Sequence, residues 1–181
     1  MKPHRLDGKR NEWITPRRFI NAFIRLVDDN WIDPFAPSDN PLKAPFFITE
    51  EQNSLDQPWP EGAAVWANPP FSAGQLRPCL ERLSKEFSEG RRGILLLPVN
   101  NRLETGYYHD LCMIDALTAL VLVRGRVAFE EKVETDEGVT YVPRKSNLYA
   151  THLLCYNLDP AQCVWALSDL GTVLPVCSEA R

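Results

Sequence analysis

Asn68-Pro69-Pro70-Phe71 places a neutral amide, two rigid imino acids and an aromatic ring in consecutive positions. The run before it, Ala63 to Ala67, is short and wholly apolar, the pattern of a buried strand. Proline has no N–H to donate, so two in succession cannot continue a strand ladder. The chain is therefore expected to bend stiffly at the carboxyl end of that strand, where open α/β sheets place their ligands. Such a bend presents an amide oxygen, a backbone carbonyl and an aromatic face together. Those groups can hold an exocyclic amino group flat and accept its two hydrogens. The same residues also read as a plain proline-rich turn.

The elements that must position this bend are legible from periodicity. Thr15-Pro16 opens a helix, with Thr as N-cap and Pro at the first helical position. Phe19, Phe23, Leu26 and Val27 give it one apolar face to about Asp29. Trp31 to Asp33 reads as a strand ending at Pro34, and Ala44 to Thr49 as the next. Leu76, Leu80, Leu83 and Phe87 recur at helical spacing before Gly90. Gly93 to Leu97, ending at Pro98, and Leu117 to Val123 are apolar strands. This alternation predicts an α/β sandwich with a largely parallel sheet. Val127 to Phe129, Val139 to Val142 and Tyr149 to Tyr156 read as further strands around a polar excursion from Glu130 to Gly138, which predicts an antiparallel hairpin on the sheet edge. Asp159-Pro160 opens a last helix that ends near Gly171.

Composition bounds the rest. The 181 residues, 44% hydrophobic and 24% charged, are ordinary for one globular domain. Residues 1–12 read as a flexible basic arm and 13–181 as a single domain. No signal-peptide pattern opens the chain, and its longest apolar stretch is too short to span a bilayer. No membrane association and a cytoplasmic location are expected. The five cysteines are odd in number and lack Cys-x-x-Cys spacing, so neither a disulfide framework nor a zinc site is indicated. The three histidines are scattered and form no metal cluster.

The net charge of −4, with a pI near 5.4, argues against broad nucleic-acid affinity. The distribution is uneven, however. Lys2, Arg5, Lys9, Arg10, Arg17 and Arg18 cluster at the start, and a basic face on an acidic protein supports transient DNA contact. A disordered tail with no partner is the alternative.

Three segments then fall into order: Trp13-Ile14-Thr15-Pro16, Asp33-Pro34-Phe35-Ala36-Pro37-Ser38-Asp39, and Asn68-Pro69-Pro70-Phe71. With Gly125-Arg126-Val127-Ala128-Phe129, this resembles the phage-type DNA N6-adenine methyltransferase family, within the amino-methyltransferases that use S-adenosylmethionine. The resemblance runs from about Trp13 to Tyr156. It implies a Rossmann-like methyltransferase fold and catalysis by Asn68, Pro69, Pro70 and Phe71. It implies S-adenosyl-L-methionine as cofactor, bound by Trp13, Thr15, Pro16, Asp33, Phe35, Ala36, Ser38 and Asn53. Free N–H groups at the Thr15-Pro16 helix start suit the cofactor's carboxylate, and Asp33 suits its amino group. Asn53 stands where such enzymes carry a residue for the cofactor's adenine, although a surface loop is the better reading there. Trp59 and Trp66 read as core.

DNA is the implied partner, through a flipped adenine, with Arg77, Arg102, Arg126 and Arg144 as the basic residues nearest the pocket. One departure stands out. Related enzymes carry glycines in the loop after Asp-Pro-Phe, where this chain has Pro37 and Asp39. The loop must take a different path, or cofactor affinity is lower.

In the implied reaction, Asn68 and the Pro69 carbonyl accept the amine's two hydrogens. Phe71 stacks on the flipped base, and rate comes from positioning and electrostatics. No metal, covalent intermediate or strong base is required. Cytosine N4, an RNA amine and a protein glutamine fit the same four residues. A catalytically idle DNA-binding or anti-restriction relative also fits. The target sequence, the oligomeric state and a role in protecting phage DNA are not readable from these residues.

Overall fold

A computed structural model describes residues 13–72, 74–99, 105–135, 138–143 and 149–176. In chain order the elements are α1 (Arg17–Val27), β1 (Trp31–Ala36), β2 (Phe46–Thr49), β3 (Ala64–Ala67), α2 (Leu76–Ser88), β4 (Gly93–Pro98), α3 (Gly106–Cys112), β5 (Leu117–Val123), β6 (Glu130–Thr135), β7 (Gly138–Pro143), β8 (Thr151–Tyr156), α4 (Pro160–Leu167) and β9 (Gly171–Pro175). Seven strands form one sheet in the order β2-β1-β3-β4-β8-β5-β9. The four strands β2, β1, β3 and β4 pair in parallel. β8 is antiparallel to both β4 and β5, and β9 is antiparallel to β5. Five strands thus share one direction, as a Rossmann-like methyltransferase fold requires.

Each face of the sheet is covered by its own apolar layer. Phe19, Ile20 and Phe23 of α1 and Cys163, Ala166 and Leu167 of α4 pack with Trp31, Trp66 and Leu96 on one side. Leu80, Leu83 and Phe87 of α2 pack with Val65, Ala67 and Leu95 on the other. Strand side chains alternate between faces, so a strand covered on both sides is apolar throughout. β3 and β4 are buried along their whole length. Gly93 shows how tight this packing is: a Cβ there would lie 2.5 Å from the Val65 carbonyl oxygen.

Several sequence expectations change in the structure. The antiparallel hairpin is β6–β7, a separate two-stranded sheet, and not an extension of the main sheet's edge. Its first strand is the polar stretch from Glu130. Val127 to Phe129, expected as a strand, is irregular, with Val127 and Phe129 buried under the α1 face. β8, expected near the edge, lies in the interior of the sheet, between β4 and β5. The last helix ends at Leu167 and the chain returns as the edge strand β9. Its cap is as expected, since the Asp159 carboxylate accepts from the Gln162 N–H at 2.8 Å. β1 runs through Pro34 to Ala36. Its register against β2 shifts between Asp33 and Ala36, so the proline sits in a bulge, where no ladder bond is asked of it.

Candidate functional site

β1 and β3 are adjacent and parallel, so their carboxyl ends open on the same edge of the sheet. A cavity of about 580 Å³ lies there, within the usual range for small-ligand sites. Trp13, Thr15, Asp33, Phe35, Ala36, Ser38, Asn53, Asn68, Pro69, Pro70 and Phe71 all line it. Residues from four separate segments of sequence therefore meet in one space. Pro16 is not among the lining residues. α1 begins at Arg17, one position later than expected, and Pro16 is its N-cap. Thr15 does not cap the helix. It is buried, and its hydroxyl accepts from the Trp66 indole N–H at 3.4 Å.

Asn68 is the most informative residue in the cavity. Its amide nitrogen donates to the Trp13 carbonyl at 2.7 Å. That bond fixes which way the amide faces, because the reverse orientation would set two oxygens against each other. The oxygen, Oδ1, is buried and accepts no hydrogen bond. Leaving a buried acceptor unpaired costs about 1–3 kcal/mol, so such atoms are uncommon in native folds. The other one among the described residues is the Thr151 hydroxyl, at the start of β8.

Asp33 is the second unusual group. It is almost fully buried, and the described residues bring it no cation. Burial pushes its carboxyl up to about 7, although the Phe35 N–H, at 3.0 Å, favours the charged form. The bulge at Pro34 explains the geometry. It takes the Phe35 N–H out of the ladder and leaves it to the Asp33 carboxylate. Glu50 and Glu51, which directly follow β2, also line the cavity, and they were missed in the sequence. Their position after the strand next to β1 was the available signal, since nucleotide-binding α/β folds place a ribose-binding carboxylate there. With Asp33 they make three carboxylates, and no described lining residue is Lys or Arg. The cavity suits a cationic ligand.

The wall between β2 and β3 is held from behind. The Trp59 indole N–H donates to the Ser54 carbonyl and hydroxyl at 3.1 and 3.2 Å, and Arg82 and Arg91 lie over the Trp59 ring at 5.0 and 5.8 Å. Trp59 and Trp66 are both core residues, as expected. The Asn53 amide, proposed to reach a ligand, is engaged locally. It donates to the Asp56 carboxylate at 2.5 Å and accepts from the Leu55 N–H at 3.3 Å.

Of the basic residues, Arg77 is exposed on α2 and ion-paired with Glu81 at 2.9 Å. Arg126 is exposed beyond the carboxyl end of β5. Arg102 and Arg144, like residues 1–12, lie outside the described residues. Among the described residues, no group of His, Cys, Asp and Glu could hold a metal ion, and no helix is long and apolar enough to cross a membrane.

Searches of curated proteins and of solved structures return no match. The family model described as DNA N-6-adenine-methyltransferase (Dam) matches residues 2–153. That span takes in every cavity-lining residue and all strands of the sheet but β9 and the second half of β8. With most of its length matched, and with Asn68 and Asp33 facing one cavity at the sheet's carboxyl edge, the chain belongs to the DNA N-6-adenine-methyltransferase (Dam) family.

Proposed function

We propose that the protein methylates adenine N6 in DNA using S-adenosyl-L-methionine, with the β1–β3 cavity holding both the cofactor and the flipped base. The observation that carries this reading is the Asn68 amide, whose nitrogen is committed to Trp13 while its buried oxygen awaits a donor. An exocyclic amine is such a donor.

The cavity's chemistry fits the cofactor. When bound, S-adenosyl-L-methionine supplies an electrophilic methyl group on a positively charged sulfur. Asp33, unpaired with any described cation, is placed to take the cofactor's ammonium group, which would favour the ionised carboxylate that burial alone disfavours. Glu50 and Glu51 are placed for ribose hydroxyls. The Trp13–Thr15 segment, ahead of the α1 N-terminus, walls the side where a carboxylate benefits from the helix dipole. Phe35, Ala36 and Ser38 provide the lining between these groups. Asn53 contributes through its place in the wall, since its amide is already engaged.

Adenine N6 is a poor nucleophile because its lone pair is delocalised into the ring. Asn68 Oδ1 and the Pro69 carbonyl accept its two hydrogens. This draws the nitrogen toward tetrahedral geometry and localises the lone pair for in-line attack. Pro69 and Pro70 hold these acceptors in place before substrate arrives, so little reorganisation remains at the transition state. Phe71 offers its ring to the flipped base. Arg126 and the basic arm supply phosphate contacts that give orientation without sequence information.

The test is transfer of labelled methyl from S-adenosyl-L-methionine to DNA, RNA and protein, followed by nucleoside analysis. Label recovered as N6-methyladenine from DNA is the expected result. Label in cytosine, RNA or glutamine would move the substrate assignment, and no label with intact cofactor binding would indicate an idle binder.

A further inference from the structure

Pro37 and Asp39 stand in the cavity loop after β1, where the family resemblance implies glycines, and the structure indicates how this loop is held. Ser38 and its neighbours Pro37, Pro41 and Leu42 line the cavity, whereas Asp39 is not a lining residue. Its carboxylate meets the β6–β7 hairpin. It accepts from the Tyr141 hydroxyl on β7 at 2.5 Å and pairs with the Lys132 ammonium on β6 at 3.0 Å. Burial works against ionisation there, but the hydrogen bonds from Tyr141 and Lys132 outweigh it and hold the carboxyl below its usual range.

The hairpin is tied at a second point. Ile14 and Glu130 exchange backbone hydrogen bonds of 3.2 and 2.9 Å. Ile14 follows Trp13, whose carbonyl holds the Asn68 amide. One two-stranded element therefore grips both the loop beside Asp33 and the segment that orients Asn68.

We infer that Asp39, through Tyr141 and Lys132, is a positioning residue that uses the β6–β7 hairpin to hold the Pro37–Leu42 loop in its cofactor-binding shape. A glycine loop would be shaped by the ligand on binding. This loop is shaped in advance by a latch to a segment distant in sequence, which lowers the ordering cost of binding. The inference rests on the assignment of S-adenosyl-L-methionine to this cavity.

The experiment uses the full chain and measures cofactor Kd by calorimetry, kcat and KM on DNA, and hydrogen exchange of loop amides in cofactor-free protein. Asp39→Ala should raise the cofactor's Kd and KM by roughly 3–10-fold, the range of a partly exposed latch of this kind. Its kcat at saturating cofactor should stay within about twofold. The Asn40 and Lys43 amides, which bond to Pro37 and Asn40 carbonyls, should exchange faster. Lys132→Ala and Tyr141→Phe should give smaller changes of the same kind. Asp39→Ala combined with Lys132→Ala should be less than additive, and the charge-swapped pair Asp39→Lys with Lys132→Asp should recover part of the affinity. Unchanged Kd and exchange in Asp39→Ala would overturn the latch. So would full additivity with Lys132→Ala. Failure of the parent protein to bind S-adenosyl-L-methionine would instead overturn the cavity assignment.

Discussion

The Asn68 amide donates to the Trp13 carbonyl at 2.7 Å, across 55 residues of sequence. One bond thereby orients the group proposed to accept the target amine, and leaves its oxygen buried and unpaired. Asn68→Ala removes the acceptor while leaving the strand and the prolines in place. The expected loss in kcat is about 10²–10³-fold, the usual cost of removing one aligned transition-state acceptor or donor. Cofactor Kd should stay within a few-fold. Single-turnover rates and calorimetry on the same preparation decide the matter, and near-normal turnover would remove Asn68 from the mechanism.

Asp33 links pH to both stability and binding. In the unfolded chain its carboxyl titrates near 3.8, and in the fold near 7. Between those values the folded state keeps a proton that the unfolded state has released. Stability without cofactor therefore falls as pH rises through about 4 to 7, and levels off above 7. The difference of about three units corresponds to roughly 4 kcal/mol. Asp33→Asn keeps an acceptor for the Phe35 N–H and should remove this loss. The variant should be more stable than the parent at about pH 8 and bind cofactor at least tenfold more weakly. In the parent, cofactor affinity should rise with pH through about 7. Denaturation curves for both proteins across this range supply the check, and parallel pH profiles would refute the assignment.

Phe71 is half-buried and packs against both apolar layers while lining the cavity. Phe71→Tyr and Phe71→Trp keep an aromatic face and should keep activity. Phe71→Ala should raise KM for DNA by an amount corresponding to about 1–3 kcal/mol, the value of one base stacked on an aromatic ring. Cofactor Kd should change much less. Equal DNA affinity for the Ala and Tyr variants would rule out stacking.

The basic arm makes its own prediction. Deleting residues 1–10 removes Lys2, Arg5, Lys9 and Arg10 and should weaken DNA binding without touching cofactor affinity. On duplex DNA the log–log salt slope should fall by about 0.9 for every phosphate that the truncated protein no longer neutralises. DNA affinity across a salt series, for full-length and truncated protein, is the measurement. Superimposed slopes would mean that the arm does not touch DNA, and that binding falls to Arg77, Arg102, Arg126 or Arg144.

The sequence alone determined the elements whose signals are local. Ala64 to Ala67 had to be a buried strand because it is short and apolar, and it had to stop at Asn68 because two prolines follow. α2 was readable from Leu76, Leu80, Leu83 and Phe87 at helical spacing, and Gly90 marks its end with a φ of +94°. Much of the cavity's lining was legible for the same reason, since strand ends and proline turns announce themselves over a few residues, whereas Glu50 and Glu51 were missed. Only the tertiary structure decided relationships between distant segments. The apolar pattern of Leu153 to Tyr156 suits any covered strand, so nothing local says that β8 lies between β4 and β5. The charged run from Glu130 reads as a loop until its pairing with β7 and Ile14 makes it a strand. Asp39 reads as an unwelcome charge until Tyr141, 102 residues on, reaches it. The free Asn68 oxygen likewise depends on a carbonyl contributed by Trp13. Hydrogen-bond partners and burial come from chain segments brought together by packing, and no short-range periodicity encodes which segments meet.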